Sequence, residues 1–263
     1  MEYACNSYGN YSFFKGISML QGISIATQGM TALMDKQDQI ANNLANIKTT
    51  GFKQSGLFIK TFQKVLSNDS NQPFVNTEIK PDTVYVDYSE GAMEKTGAPL
   101  DLFIKGSGFL TVMTSEGIRY TRNGNLSLNK EGLLVTSDGS KVMGKDGFIK
   151  IDKDAGAISI NENGEVVQDG ETIETLRISD FNKPYSLVRE GNGYFNTQDS
   201  DEKVIQSNGF AIEQGFLEES NVSVIGNMVN MISAYRNYEA DQKAVQSQDQ
   251  TLDKAVNQVG RIS

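Results

Sequence analysis

Residues 224–259 read VIGNMVNMISAYRNYEADQKAVQSQDQTLDKAVNQV, and the spacing of their apolar side chains decides the fold. Val224, Met228, Met231, Tyr235, Tyr238, Gln242, Val245, Asp249, Leu252, Val256 and Val259 step by alternating fours and threes. Read as one α-helix, the stretch spans about 54 Å at 1.5 Å per residue. Near the other end Met19, Ile23, Ala26, Met30, Leu33, Gln37, Ile40, Leu44 and Ile47 keep the same register. A strict seven-residue repeat makes a narrow apolar seam, which suits another helix better than the wide face of a globular core. One seam at each terminus predicts a helical stem that closes the chain on itself and packs against neighbours. Gln242 and Asp249 are the polar exceptions in the C-terminal seam, and such positions fix register at some cost in stability.

The segment between the seams has another pattern. Thr83 to Tyr88 alternates like a strand, and Leu100 to Ile104 is a second candidate. Asn-Gly recurs at Asn123, Asn163, Asn192 and Asn208, and Asp-Gly at Asp138, Asp146 and Asp169. Both dipeptides tolerate the positive φ of tight hairpin turns. The expected class is therefore α+β, with terminal helices forming a coiled-coil-like stem and a central antiparallel β domain of many short strands. The expected divisions are an N-terminal extension at 1–18, a helical stem segment at 19–66, a connector at 67–96, the β domain at 97–210 and a second stem segment at 211–263. Residues 1–18 have no clear period, so Met19 is an alternative start. The first helix should end near Thr49-Thr50-Gly51, because glycine commonly follows a helix C-terminus. Leu57, Phe58, Phe62, Val65 and Leu66 suggest a further helical turn or two, and Ser67 to Pro73 reads as a loop.

Composition narrows the chemistry. The chain has no histidine and one cysteine, Cys5. Those counts remove Ser-His and Cys-His nucleophile pairs, an intrachain disulfide and a four-cysteine metal site. No catalytic, cofactor-binding or metal-binding residues are expected, and the expected role is not enzymatic. A carboxylate-dependent glycosidase would need two placed acids, for which surface solvation is the better account. The formal charge of −9 divides into +3 through Leu66 and −12 beyond it. So acidic a body argues against nucleic acid as partner. No run of eighteen apolar residues occurs, so no membrane insertion is expected, and Met1 to Phe14 lacks the plan of a cleavable signal peptide.

Three asparagines crowd the end of the first helix, although asparagine is a mediocre helix former. They lie in Asn42-Asn43-Leu44-Ala45-Asn46-Ile47, followed by Thr50-Gly51-Phe52-Lys53. Asn42 and Asn46 share a face, where their carboxamides could reach another helix. This stretch resembles the N-terminal signature of the flagellar rod and hook proteins, the axial components of the bacterial flagellum. Thr96-Gly97-Ala98-Pro99-Leu100-Asp101-Leu102 with Gly106-Ser107-Gly108-Phe109 resembles the family's central motif, as does Tyr120-Thr121-Arg122-Asn123-Gly124. Leu217-Glu218 and Ser220-Asn221-Val222 resemble the entry to its last helix, and Met231-Ile232, Arg236, Tyr238-Glu239 and Lys243 the helix itself. Departures occur at Ala98, Asn123 and Asn227.

The resemblance implies a structural rod subunit that polymerises through its terminal helices into the axial drive shaft between motor and hook. It implies as partners copies of itself, other flagellar rod and hook proteins, and the flagellar type III export apparatus. The implied location is the basal body, in a rod crossing the periplasm. The short stretch from Phe52 to Thr96 favours a proximal-rod over a distal-rod or hook type. A coiled-coil surface adhesin with a β head is the alternative from another class, and it would need an anchor that cannot be read here.

Overall fold

The computed structural model describes residues 8–66, 74–152, 156–183, 185–197, 205–206 and 209–259. The expected loop at Ser67 to Pro73 lies outside them. The chain divides into two compact units, one of Met1–Leu44, Ser55–Asp87 and Val224–Ser263, the other of Ala45–Gln54 and Tyr88–Ser223.

The first unit contains helix α1 (Tyr8–Ala45), strands β1 (Ser55–Leu66) and β2 (Phe74–Val86), and helix α2 (Val224–Val259). Helix α1 thus begins well before Met19, in a stretch whose lack of apolar period does not forbid helix. The second apolar stretch is strand rather than helix. Phe58, Ile59, Thr61, Phe62 and Val65 are aromatic or β-branched, the residue types that favour a pleated backbone. Strands β1 and β2 form an antiparallel hairpin from Ser55↔Val86 to Leu66↔Phe74, with a register shift between Phe58 and Ile59. The shift falls where Ile59 faces Pro81, a residue without the N–H that a regular ladder uses. The Tyr85 ring covers Gly56, where an added Cβ would come within 2.5 Å of it, and packs against Phe58 at 4.5 Å between centroids.

The second unit is β-rich. Strands β5 (Phe109–Thr114), β6 (Gly117–Thr121), β7 (Leu126–Leu128), β8 (Leu134–Thr136) and β9 (Lys141–Val142) join β14 (Leu187–Arg189) and β15 (Tyr194–Thr197) in one sheet. Its order is β14-β15-β6-β5-β9-β8-β7; β13 (Ile178–Asp180) also pairs with β5 and with β16 (Ile205–Gln206). Strands β10 (Ile158–Ile160), β11 (Glu165–Gln168) and β12 (Glu171–Thr175) form a three-stranded sheet. Two pairs bring distant sequence together: β4 (Leu102–Gly106) with β17 (Phe210–Gln214), and β3 (Met93–Lys95) with β18 (Phe216–Glu218). All these pairings are antiparallel, as the turn dipeptides predict.

The core contains Leu102, Ile104, Leu110, Val112, Leu134 and Ile212, none more than 1% exposed. Asp169 (φ 52°) and Gly170 (φ 84°) are the two-residue turn between β11 and β12, both left-handed as a type I′ turn needs. Asn192 and Gly193 also have positive φ, whereas Asn208 lies outside the described residues. Asn123-Gly124 is not among the positive-φ positions. Gly124 serves a close approach instead: a Cβ there would lie 1.8 Å from the Leu102 carbonyl oxygen.

Candidate assembly site

In the β-rich unit the three motif regions meet around one buried carboxylate. The turn after the first helix passes through Gly51, whose φ of 67° suits glycine, and whose N–H donates to the Glu218 carbonyl at 2.8 Å. A Cβ on Gly51 would come within 2.5 Å of the Arg122–Asn123 backbone. Two residues on, the Lys53 ammonium donates to Glu218 Oε1 at 2.5 Å and to the Ser89 carbonyl at 2.7 Å. Lys53 and Glu218 are each 1% exposed. Burial pulls the Lys53 ammonium below its ordinary value, with Glu218 acting in the opposite direction.

Arg122 is the second cation at this junction, with its Nη1 3.9 Å from Glu218 Oε2. Its guanidinium donates to the Ile104 and Gly106 carbonyls at 3.0 and 2.7 Å and lies over the Phe109 ring. Burial lowers its pKa too. Asn221 completes the junction. Its Oδ1 accepts the Gln54 N–H at 2.6 Å and its Nδ2 donates to the Ser89 carbonyl at 3.2 Å. The Arg189 guanidinium stacks on Phe52 at 3.7 Å and donates to the Lys53 carbonyl. Val222 is buried, and Ser220 Oγ accepts its N–H.

The central motif holds the Gly215 turn. Thr96 and Gly97 donate their N–H groups to the Gly215 carbonyl, and the Gly215 N–H returns to the Asp101 carbonyl at 2.8 Å. Gln214 Nε2 donates to the Pro99 carbonyl at 2.6 Å. Leu100 packs partly buried against the core, and Asp101 is buried. The resemblance groups these segments, but nothing in the sequence signals that Lys53 and Arg122 share Glu218.

In the helical unit, α1 and α2 run antiparallel: Gly22 meets Gln248, while Gln37, Asp38 and Ala41 share a groove with Met231, Tyr235, Arg236 and Glu239. Ile40 is buried, and Ile23, Met30, Leu33 and Leu44 are half-buried; Ile47 is half-buried in the turn beyond the helix. On α2, Met231, Tyr238, Val245 and Leu252 are half-buried, but Val224, Met228, Tyr235 and Val256 are exposed. The Val259 side chain lies outside the described residues. The most covered α2 residues are Asn227 and Ala234, each 2% exposed, with Asp241 and Gln248 half-buried. The covered positions thus keep the three-four alternation, rotated by one residue along one flank. Ala32 on α1 and Ala234 on α2 are both nearly fully covered, at 1% and 2% exposed, whereas Tyr235 is 55% exposed. Gln242 and Asp249 face outward.

Of the helix-end asparagines, Asn43 is the buried one. Its Nδ2 donates to the Ser55 carbonyl at 2.7 Å and its Oδ1 accepts the Ser55 N–H at 3.0 Å, a side-chain copy of a strand pairing. Asn46 Oδ1 accepts the Thr49 hydroxyl, Asn42 is exposed, and Ala45 is exposed at the last helical position. Asn43→Ala is expected to cost the helical unit about 2–3 kcal/mol, because it strands buried polar groups of Ser55. Chemical denaturation followed by helical circular dichroism would measure this, and a change below about 0.5 kcal/mol would remove the bond's importance.

No helix among the described residues is long and apolar enough to cross a membrane. Three family descriptions match the chain. "Flagella basal body rod protein" matches residues 23–53, "Flagellar hook protein FlgE/F/G D1 domain" residues 103–168, and "Flagellar basal body rod FlgEFG protein C-terminal" residues 213–259. The flagellar basal-body rod protein FlgF of Caulobacter vibrioides is 34% identical over 233 residues, covering 86% of this chain and 92% of that protein. The rod protein FlgG of Bacillus subtilis is 31% identical over 265 residues, covering 91% and 99%. The flagellar hook-basal body complex protein FlhO of Bacillus subtilis is 28% identical over 273 residues, covering 93% and 100%. With the terminal helices and the motif junction in place, these likenesses make the chain a member of the flagellar basal-body rod proteins and a structural subunit of that rod.

Proposed function

We propose that this subunit enters the rod through its terminal helices and has no catalytic role. The observation that carries the reading is an open apolar stripe on α2: Ile225 is 78% exposed, and Met228, Val229, Ile232 and Tyr235 are each at least 50% exposed. These residues recur at helical spacing, with Ile225, Val229 and Ile232 on the side opposite Asn227 and Ala234 and Met228 and Tyr235 on the flank between. Contiguous exposed apolar surface of this kind marks an interaction site. Its partners are copies of the chain and other rod and hook proteins. The chain reaches the periplasmic rod through the flagellar type III export apparatus, without membrane insertion. The short connection from Phe52 to Thr96 favours the proximal rod, which immunolabelling of isolated basal bodies would test by position.

Ile232→Asp tests the assembly surface. Ile232 is exposed, so the folded monomer should change by no more than about 0.5 kcal/mol, while a carboxylate replaces apolar surface at the contact. The expected result is loss of the subunit from basal bodies and loss of motility, with normal melting of the purified chain. Normal amounts of the variant in rods would overturn the reading.

A further inference from the structure

We propose that Asn192 is a site of spontaneous deamidation, in which water converts the residue to isoaspartate and the β14–β15 turn gains a negative charge. The reaction needs water alone. The Gly193 main-chain nitrogen attacks the Asn192 carboxamide carbon and closes a succinimide ring. The carboxamide C–N bond breaks, and its nitrogen leaves as ammonia with the proton shed by Gly193. Water then opens the ring at either carbonyl, giving aspartate or isoaspartate. A following glycine favours the step, because it has no side chain to shield its nitrogen or hinder the rotation that brings the two atoms together.

Folding treats the described Asn-Gly dipeptides differently. Asn123 is pinned: its Oδ1 accepts the Thr50 hydroxyl at 2.8 Å and the Asn125 N–H at 3.0 Å, and Gly124 lies against the Leu102 carbonyl. Asn163 is exposed, but its glycine is held. The Gly164 N–H donates to the Asn161 carbonyl at 2.8 Å, and the Gly164 carbonyl accepts the Leu176 N–H at 2.8 Å. Gly164 is buried, with Ile212 and Leu176 packed over it. Turning either peptide to the reactive geometry would break these contacts. Asn192 has no such restraint. It is exposed, and its carboxamide has no hydrogen-bond partner among the described residues. It lies between Gly191 and Gly193, where an added Cβ would meet nothing within 4 Å. The turn itself is a single 3-10 turn interrupted at Asn192, whose φ is 60°, and 3-10 hydrogen bonds have poor geometry.

The product changes two things. A new carboxylate joins Glu116, Asp138 and Glu190 on a polar hollow of about 610 Å³. Isoaspartate also routes the main chain through an extra methylene, next to the Arg189↔Phe195 pair that closes the hairpin. Arg189 stacks on Phe52 and donates to the Lys53 carbonyl, so a turn that closes less well loosens the strand reaching the motif junction.

The test keeps the purified full chain in mildly alkaline buffer, either folded or in urea, and maps its peptides by mass spectrometry over time. In the folded chain Asn123 and Asn163 are expected to convert at least about tenfold more slowly than in urea, because each needs local opening first. Asn192 should stay within about threefold of its rate in urea, because no opening is required there. Asn192 slowed as much as Asn163, or either of the other two converting ahead of it, overturns the proposal. An isoaspartyl methyltransferase should label the Asn192 peptide of the aged chain, and absence of label there overturns isoaspartate as the product. The aged chain should melt below Asn192→Asp, which adds the charge without the methylene. Equal melting overturns the link to Arg189.

Discussion

Glu218→Ala is expected to destabilise the β-rich unit by about 3–5 kcal/mol, the range for removing one partner of a buried ion pair. The carboxylate faces two cations, and its loss leaves both Lys53 and Arg122 buried without their counter-charge. It also removes the acceptor of the Gly91 N–H. Lys53→Met should cost less, because Arg122 still faces Glu218. The double change Lys53→Met with Glu218→Leu should recover part of the loss, although Arg122 then stays uncompensated. Urea unfolding monitored in the near ultraviolet gives all three values. If Glu218→Ala unfolds within about 1 kcal/mol of the parent, the junction is not what holds the three motifs together.

The second large effect is at Gly124. An alanine Cβ there would lie 1.8 Å from the Leu102 carbonyl oxygen and 2.8 Å from its carbon. The obstacle is backbone, so no side chain can turn aside. Strand β4 would have to move, losing the Leu102 N–H bond to the Gly124 carbonyl and disturbing Leu102 and Ile104 in the core. The expected cost is about 3 kcal/mol or more. Gly139→Ala is the comparison, because its φ is 89° but no atom lies within 4 Å of the added Cβ. Only backbone strain applies there, about 1–2 kcal/mol. Equal melting losses for the two variants would show that crowding at Gly124 is relieved.

These glycines illustrate what local sequence can reveal. Asp169-Gly170 announces a two-residue turn because the dipeptide itself must adopt positive φ. Asn123-Gly124 is a turn dipeptide of the same kind, but its glycine answers to a carbonyl in a strand about twenty residues upstream. The terminal heptads are legible because a helix repeats its demand every turn. Their exact covered face is not, since Ala234 and Asn227, the most covered residues of α2, lie one position before the apolar residues of the heptad. Strand β1 reads as helix because Phe58, Phe62 and Val65 also fit a helical spacing; the aromatic and β-branched character of the stretch is the better guide. Lys53 and Glu218 carry no mutual signal, and only folding makes them neighbours.

That separation has a kinetic consequence. Lys53 and Glu218 stand 165 residues apart, so joining them costs about 4.5 kcal/mol in loop closure before any contact rewards it. Strands β3 and β4 meet their partners only when β18 and β17 arrive. A chain delivered N-terminus first therefore keeps both strand edges waiting until most of its length has emerged, and the motif junction acts as the clasp fastened late. Nonlocal pairing of this kind slows folding, so the junction is expected to close after the local hairpins have formed.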